Sequence, residues 1–281
     1  MKVGVVLEGG AMRGLYSAGV LDTFLDNEIK LDGAVSVSAG ALFGVNYFSK
    51  QKGRTLRYNK RFMNDKRYIS FLSWIKTGNL VSKDFSYYEV PFELDIFDEE
   101  EYKKANVDFY ATLTNIETGE SEYINVKDVR GQMEVLRATS AMPFFSEIIE
   151  IDGKKYLDGG ISDSIPIEKC LELGYDKVIV ILTRPKEYRK KKSMGFVTKL
   201  VYNKYPKLIE RMTNRYLNYN EALDKINKME EEKKIIVIRP SKDMKVKRIE
   251  KDLDKLQSIY DLGIKDASEK LEEIREYLKN K

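Results

Sequence analysis

Two consecutive strand–turn–helix units occupy the first fifty residues, and they constrain the fold of this chain more than any other feature. Residues 2–7 form an apolar, β-branched run that breaks at a Glu-Gly-Gly turn at 8–10, and residues 12–27 follow with apolar side chains at helical spacing. Residues 34–37 form a second apolar run, and small residues at 38–44 are typical of a helix start. Such alternation is typical of a parallel sheet covered by helices. The sequence therefore predicts an α/β fold.

The rest of the chain predicts further strands and helices without a sharp boundary between them. Strands are predicted at 108–114 and 122–126, at 148–151 and 155–157 (two hairpins), at 177–183 and at 235–238. Helices are predicted at 132–139, 196–232 and 250–278, and residues 52–105 show no clean period, which favours helices and loops. We predict a single domain over 1–281, with a core of 2–185 plus 235–240, a basic helical region at 186–232 and charged C-terminal helices at 250–281.

The 281 residues include no histidine and one cysteine, Cys170. Histidine is the usual general base near neutral pH, so its absence excludes Ser-His-Asp and Cys-His catalysis and zinc sites that need histidine. The single cysteine excludes an internal disulfide. Any acid–base chemistry must use carboxylates, lysine, tyrosine or the cysteine, and we expect no metal and no cofactor.

Charge and hydropathy limit the partners and the location. The net charge is only +4, so we expect no nucleic-acid partner. No segment reaches the ~18 apolar residues of a membrane-spanning helix, and the N-terminal apolar run is too short for a signal peptide. These features predict a cytoplasmic protein. Peripheral contact with the inner membrane surface is compatible with them.

A glycine-rich loop at 9–14 (Gly-Gly-Ala-Met-Arg-Gly) lies between the first predicted strand and its helix. Consecutive glycines let the backbone approach a ligand closely, and amides at a helix start can donate to an anion. The loop fits a phosphate cradle or an oxyanion hole, although it lacks the GxGxxG and GK[ST] patterns of nucleotide sites. A tight turn without a function explains it equally well.

A serine at the second strand–helix turn resembles a nucleophile elbow. Residues 36–40 read Ser-Val-Ser-Ala-Gly, so Ser38 occupies the nucleophile position of GxSxG and Ser36 replaces the first glycine. In that motif the serine lies on a strained turn, and the next amide, that of Ala39, faces the developing oxyanion. The alternative is an ordinary serine N-cap of the following helix.

The sequence Asp158-Gly159-Gly160 follows the strand predicted at 155–157. An aspartate followed by two glycines is a common turn. It would also hold a carboxylate near the backbone at a strand end, where it can serve as the base that a serine nucleophile needs when histidine is absent.

These three motifs, in this order, resemble the patatin-like phospholipase family. Four further stretches of this chain, at 138–143, 164–166, 236–240 and 260–263, also resemble sequences of that family. The resemblance spans most of the chain and implies a three-layer α/β/α sandwich with a mostly parallel central sheet, related to the α/β hydrolases. It implies Ser38 as nucleophile and Asp158 as base. It assigns an oxyanion hole to Gly9, Gly10, Ala11 and Ala39, and supporting roles to Arg13, Gly14, Ser36, Gly40, Gly159 and Gly160.

The implied function is a serine acyl hydrolase of the EC 3.1.1 type: a phospholipase A, lysophospholipase or esterase that cleaves lipid carboxylic esters through an acyl-enzyme. Phospholipids or lysophospholipids are the implied substrates. Ser36 departs from the elbow pattern, and it leaves open a catalytically idle lipid-binding module of the same fold. A transacylase with the same pair of residues is a further alternative.

A basic segment at 186–197 interleaves positive and apolar residues. Between residues 184 and 215 the chain has eleven Lys/Arg against two acids. Basic clusters attract anionic lipid headgroups, whereas most charge runs are simply solvated loops. We expect this segment to give peripheral membrane contact.

Overall fold

A computed structural model describes residues 1–192 and 196–279. Its described strands join in one eight-stranded sheet, with the order β5-β6-β3-β2-β1-β7-β8 and with β4 paired to β3. The strands are β1 (Val3–Leu7), β2 (Gly33–Val37), β3 (Asp108–Asn115), β4 (Ser121–Asn125), β5 (Ile149–Ile151), β6 (Lys154–Asp158), β7 (Lys177–Ile181) and β8 (Ile236–Ile238).

The centre of the sheet is parallel, as the strand–helix repeat predicts. β1 pairs in parallel with β2 and β7, β2 with β3, and β7 with β8. The two predicted hairpins, β3–β4 and β5–β6, are antiparallel, as is the β3–β6 pair. The carboxyl ends of β1, β2 and β7 therefore meet at one edge, where ligands bind in open α/β sheets.

Helices cover both faces of the sheet, which confirms the predicted three-layer sandwich. They are α1 (Gly14–Asp26), α2 (Ala39–Phe48), α3 (Arg54–Phe62), α4 (Phe71–Thr77), α5 (Glu99–Ala105), α6 (Met133–Thr139), α7 (Ile167–Glu172), α8 (Phe196–Val201), α9 (Pro206–Glu231), α10 (Leu253–Glu269) and α11 (Leu271–Lys279). Val5 and Leu7 of β1 pack toward α1, α2 and α10, whereas Val6 packs toward α7 and α9. This alternation follows from the two-residue period of a strand.

The basic helical region differs from its prediction. Residues 186–192 are not helical, and the helix predicted at 196–232 is two helices, α8 and α9, separated at 202–205. Pro206 explains the break, because proline has no amide hydrogen to donate and disfavours helical geometry in the preceding residue. It instead starts α9 at a position where proline is well tolerated.

The charged C-terminal helices pack on the core through small residues. A β-carbon added to Gly19 of α1 would lie 2.1 Å from the Tyr260 carbonyl, and one added to Gly263 of α10 would lie 2.1 Å from the Tyr16 carbonyl. Two buried hydrogen bonds join the same helices, from Tyr260 to Asp22 (2.6 Å) and from Tyr16 to Asp266 (3.1 Å).

The organisation of residues 1–281 as a single domain stays a prediction.

Residues 52–105 contain three short helices and a π-helical segment at Lys83–Leu94. The buried guanidinium of Arg54 pairs with Asp95 at 3.2 Å and anchors this segment to the core. No described helix combines the length and the apolar character that crossing a membrane requires.

Candidate active site

Ser38 lies on a strained turn between β2 and α2. Its backbone has φ 54° and ψ −123°, a conformation that costs a non-glycine residue of the order of 1–3 kcal/mol and persists only where the surroundings enforce it. The Ser38 amide donates to Thr139 Oγ1 at 3.0 Å. A β-carbon on Gly40 would lie 2.6 Å from the Leu7 carbonyl, so only glycine lets α2 approach β1 this closely. This is the geometry of a nucleophile elbow.

Asp158 ends β6 and faces Ser38. Its side chain is buried, with 8% of the residue exposed, and Oδ1 accepts the Gly160 amide at 2.7 Å. Burial raises the pKa of Asp158 above its ordinary value; the Arg215 charge, the Gly160 amide and a hydrogen bond from the Ser38 hydroxyl oppose the shift. Ser38 and Asp158, predicted from two separate motifs, are therefore brought together as partners.

The two glycines after Asp158 have close neighbours, backbone at Gly159 and side chains at Gly160. A β-carbon on Gly159 would lie 2.0 Å from the Thr112 carbonyl, and one on Gly160 would lie 2.9 Å from an Arg215 nitrogen. The turn after Asp158 therefore packs between β3 and α9.

The glycine-rich loop lies against the nucleophile. A β-carbon on Gly9 would lie 3.1 Å from Ser38 Cβ, and Thr183 Oγ1 donates to the Gly9 carbonyl at 3.0 Å. Within the described residues, the amides of Gly9, Gly10, Ala11 and Ala39 donate no hydrogen bond. The family resemblance assigns these four amides to an oxyanion hole, and that assignment stays a prediction.

Glu8 and Gly14 hold the glycine-rich loop in different ways, whereas Arg13 makes no hydrogen bond to the described residues through its Nε. Glu8 is buried and accepts the Thr183 amide (2.6 Å) and the Tyr219 hydroxyl (2.7 Å), a role that its sequence position did not suggest. A β-carbon on Gly14 would lie 2.9 Å from Ala39 Cβ, so the start of α1 touches the elbow. Arg13 has a buried Nε without a hydrogen-bond partner in the described chain. Arg13 therefore does not brace the loop through that atom.

Ser36, the departure from the elbow pattern, has a structural role. It is fully buried in β2, and its hydroxyl donates to the Tyr110 carbonyl of β3 at 2.8 Å. The serine therefore fits between the two strands, and the strained turn at Ser38 forms without a glycine at this position.

The Ser36→Gly variant should be less stable but equally active. It loses a buried hydrogen bond and gains backbone freedom in the unfolded chain, which together cost about 1–2 kcal/mol of unfolding free energy. Urea denaturation measures that loss. If kcat for a soluble ester instead rises strongly in the variant, Ser36 impairs the elbow and this account of it is wrong.

Ser38 lies between two cavities of opposite character. An apolar cavity of about 140 Å³ runs under α2 and the 83–94 segment, and a polar cavity of about 360 Å³ opens on the other side of Ser38. The apolar cavity is lined by residues that include Leu42, Phe43, Tyr87, Val90, Val129, Met133 and Leu136. The polar cavity is lined by residues that include Gly9, Gly10, Asp158, Arg13, Arg184, Lys190, Arg215, Tyr219 and Arg248.

Sequence reasoning missed most side chains of the polar cavity. Arg215 and Tyr219 come from α9 and Arg248 from the loop before α10, far from the three motifs in the chain. The excess of basic residues between 184 and 215 was the available signal, and it was assigned to a membrane surface instead. Lys190 of that run lies in the cavity, and Arg189 pairs with Asp224 at 2.6 Å.

Comparisons with known proteins match two parts of the chain. A family model described as patatin-like phospholipase matches residues 5–171, and a second, described as a domain of unknown function (DUF6363), matches residues 205–279. The uncharacterized protein YjjU of Escherichia coli (strain K12) is 28% identical over 196 residues, covering 66% of this chain and 53% of YjjU. The chain therefore spans about half the length of that relative.

Two further matches are more distant. The lysophospholipase NTE1 of Meyerozyma guilliermondii is 23% identical over 184 residues, covering 64% of this chain and 12% of NTE1. The crystal structure of VipD from Legionella pneumophila aligns with a TM-score of 0.39 and 12% identity, covering 92% of this chain and 66% of VipD.

Proposed function

The chain belongs to the patatin-like phospholipase family, and we propose that it hydrolyses lipid carboxylic esters through a Ser38–Asp158 pair and an acyl-enzyme. The family match supports lipid hydrolysis in general. The observation that carries the finer proposal is the strained Ser38 turn facing the buried Asp158 carboxyl. Phospholipids, lysophospholipids and simpler lipid esters are the proposed substrate class.

In the proposed first half-reaction, Asp158 takes the proton of the Ser38 hydroxyl as Ser38 Oγ attacks the ester carbonyl carbon. The carbonyl electrons move to oxygen, and the amides of Gly9, Gly10, Ala11 and Ala39 stabilise that oxyanion. When the carbonyl re-forms, the bond to the alcohol oxygen breaks and Asp158 returns its proton to the leaving alcohol. The acyl group stays on Ser38.

In the second half-reaction, Asp158 takes a proton from water, and the resulting hydroxide attacks the acyl carbon. The tetrahedral intermediate collapses, releases the fatty acid and returns the proton to Ser38. An ordinary aspartate has a pKa of ~3.9 and is a weak base at neutral pH. The burial that raises the pKa of Asp158 makes it a stronger base, which supports its role without histidine.

The two cavities support an orientation for the substrate. The acyl chain occupies the apolar cavity, where its burial is favourable, and the alcohol part lies in the polar cavity. Ser38 lines both cavities, so the scissile carbonyl lies between them. The elbow geometry favours catalysis over the idle lipid-binding module.

A turnover panel tests this function. Purified full-length protein is given a soluble p-nitrophenyl ester, a monoacylglycerol, a lysophospholipid and a diacyl phospholipid, with free fatty acid and acyl-alcohol products measured. Fatty-acid release from at least one lipid ester supports hydrolysis. Acyl products formed with added alcohol, without fatty acid, identify a transacylase, and no product from any ester contradicts the proposal.

We also propose that the enzyme meets its substrate at a lipid surface. Phe71, Leu72 and Ile75 of α4 are 60–63% exposed. Trp74 of the same helix donates to the Phe144 carbonyl at 2.7 Å, in the loop whose neighbours Met142 and Pro143 line the polar cavity. Exposed apolar side chains beside a site mouth fit insertion into a membrane interface.

α8 adds Val197, Leu200 and Val201, which are also exposed. Just after α8, the Tyr202 ring lies at an angle to the Phe144 ring with centroids 5.4 Å apart, so α8 adjoins the same loop. The segment 186–197, for which the sequence predicts membrane contact, leads into α8. Its residues 193–195, including Met194, lie outside the described residues. We retain it as the basic border of this surface.

Changing Phe71, Leu72 and Ile75 together to serine should weaken binding to anionic vesicles by about 100-fold or more. Each large apolar side chain gains up to about 1.5–3 kcal/mol on leaving water, and three are lost. Vesicle co-sedimentation measures the change, with Lys76→Ser as the control on the same helix. Equal vesicle binding by the triple variant and the Lys76→Ser control contradicts this surface.

A further inference from the structure

Five cationic side chains line the polar cavity beside Ser38: Arg13, Arg184, Lys190, Arg215 and Arg248, here called the cationic chamber. Among the described residues that line this cavity, two are acidic, Glu8 and Asp158. Within the described residues, none of the five cations forms a salt bridge with a carboxylate, although 25 such pairs occur elsewhere on the molecule. The chamber therefore has an excess of uncompensated positive charge.

Aromatic faces and a hydroxyl, rather than acids, position three of these cations. The Arg184 guanidinium lies 4.4 Å from the Tyr188 ring centroid, and Lys190 Nζ lies 4.4 Å from that of Tyr219. Arg215 Nε donates to Ser164 Oγ at 3.3 Å. Rings and hydroxyls hold a cation without neutralising it, so the charge stays available to a bound anion.

The two acids of the chamber are already engaged. Glu8 accepts hydrogen bonds from Thr183 and Tyr219, and Asp158 accepts from Gly160. Neither presents a free carboxylate to a positively charged ligand. Tyr188 and Tyr219, the rings that could bind a quaternary ammonium, are already stacked on Arg184 and Lys190. The chamber therefore disfavours a zwitterionic choline headgroup.

Burial, and after it the neighbouring positive charge, lowers the pKa values of two chamber cations, Lys190 and Arg13. Burial, followed by the charge of Arg215, lowers the pKa of Lys190 to about 7, and the nearby Glu8 only partly opposes this. The pKa of Arg13 is lowered by burial and then by Arg184. Bound phosphate would relieve both the burial and the repulsion by supplying charge-assisted hydrogen bonds, and the unpartnered Arg13 Nε is one donor ready for it.

We infer that the cationic chamber binds a phosphate group on the alcohol side of the scissile ester, and that it selects phosphomonoesters such as 1-acylglycerol 3-phosphate over zwitterionic or uncharged lipids. The inference rests on the proposed function for the orientation of the ester. It also gives a role to the segment matched only as a domain of unknown function: α9 and the loop before α10 supply Arg215, Tyr219 and Arg248.

Binding to the full-length Ser38→Ala protein tests the chamber without requiring catalysis. Calorimetry compares 1-acylglycerol 3-phosphate with the monoacylglycerol and the acylglycerophosphocholine of the same acyl chain, below their micellar concentrations. We expect the phosphomonoester to bind at least about tenfold more tightly than either, because charge-assisted hydrogen bonds discriminate by that factor or more. Equal or weaker binding of the phosphomonoester overturns the inference.

Charge-removing variants in the same background locate the site. Lys190→Met and Arg248→Met should each weaken 1-acylglycerol 3-phosphate binding by about tenfold. Lys247→Met removes a neighbouring exposed charge outside the chamber and should change it by less than twofold. If all three variants bind alike, the phosphate is not held by the chamber.

Inorganic phosphate distinguishes a substrate subsite from a site for free phosphate. We expect it to displace the phosphomonoester only weakly, because it lacks the acyl chain. If inorganic phosphate instead binds as tightly as the lipid and does not compete with it, that result overturns the assignment of the chamber to the phosphate of the substrate headgroup. If no ester is turned over but the phosphomonoester still binds and the chamber variants weaken that binding, the proposed function is wrong. The assignment of a phosphate site to the chamber would still hold.

Discussion

Ser38→Ala, Asp158→Asn and the double variant should each lose about 10³-fold or more in kcat toward lipid esters. Residues that act as a unit are strongly non-additive, so the double variant should be no worse than Ser38→Ala alone. In the proposed mechanism Ser38 supplies the attacking oxygen, and Asp158 is the buried carboxylate that accepts its proton. Steady-state hydrolysis of a soluble ester measures the loss.

Stability measurements separate lost chemistry from lost folding. Because burial raises the pKa of Asp158, the folded protein binds its proton more tightly than the unfolded chain does. Folding is therefore favoured below the unfolded pKa, and this contribution is lost as the pH rises through the raised folded pKa. Asp158→Asn removes that buried charge, so it should not lower the thermal midpoint at neutral pH.

Asp163→Asn is the matched control for the carboxylate. Asp163 lies five residues from Asp158, is also largely buried, and accepts from the Tyr123 hydroxyl at 2.8 Å. Because burial also raises the pKa of Asp163, Asp163→Asn should likewise not lower the thermal midpoint at neutral pH, and kcat should stay near that of the unmodified protein. Full esterase activity in Asp158→Asn would contradict the assignment of the base.

The pH profile has a definite sign. Asp158 must be deprotonated to accept the Ser38 proton, so kcat/KM should fall as the pH drops through its raised pKa and reach a plateau above it. The chain has no histidine, so the profile of kcat/KM against pH should show no step caused by the titration of a histidine. A profile that rises toward acid pH would contradict Asp158 as the base.

Gly10→Ala should lower kcat by about 10²–10³-fold while leaving the protein folded. A β-carbon on Gly10 would lie 2.8 Å from Thr183 Oγ1 and 3.2 Å from Arg13 Cβ, so the glycine-rich loop must move. Thr183 also holds the Gly9 carbonyl, and its displacement would turn the loop amides away from the oxyanion. The loss of one preorganised donor has an effect of this size.

Gly153→Ala is the matched control for this glycine. Gly153 lies in the β5–β6 turn with φ 75° and no neighbour within 4 Å of an added β-carbon. The variant should lose about 1 kcal/mol or more of stability through backbone strain and keep its kcat. If Gly10→Ala loses only stability as well, the loop is a structural turn and not an oxyanion hole.

The core of the fold is predictable from local patterns. The β1–α1 and β2–α2 units, the β3–β4 hairpin and the Asp152-Gly153 turn each carry their signal within a few residues. Residues 52–105 carry no such signal, because long-range contacts such as the Arg54–Asp95 pair and the π-helical segment shape them. Pro206 is a sequence signal for the break before α9. The helical spacing of polar and apolar residues continues on both sides of it, so the sequence predicts one helix instead of two.

The site divides in the same way. Ser38, Asp158 and the glycine-rich loop each belong to a short motif, so their positions follow from sequence. Their partners do not: Thr139 supports the elbow from α6, and Arg215 reaches the Asp158 turn from α9. The packing of α9 against the sheet brings Arg215 and Tyr219 into the cationic chamber beside Ser38, and no local spacing encodes that distance.

Labelling with a fluorophosphonate, followed by intact mass measurement and peptide mapping, tests the Ser38–Asp158 pair most directly. The reagent reacts with an activated serine and leaves one covalent adduct. We predict one adduct per chain at Ser38 in the unmodified protein, none in Ser38→Ala and much slower labelling in Asp158→Asn. An unlabelled Ser38 in protein that hydrolyses lipid esters, or an adduct at another serine that abolishes that activity, would contradict this mechanism.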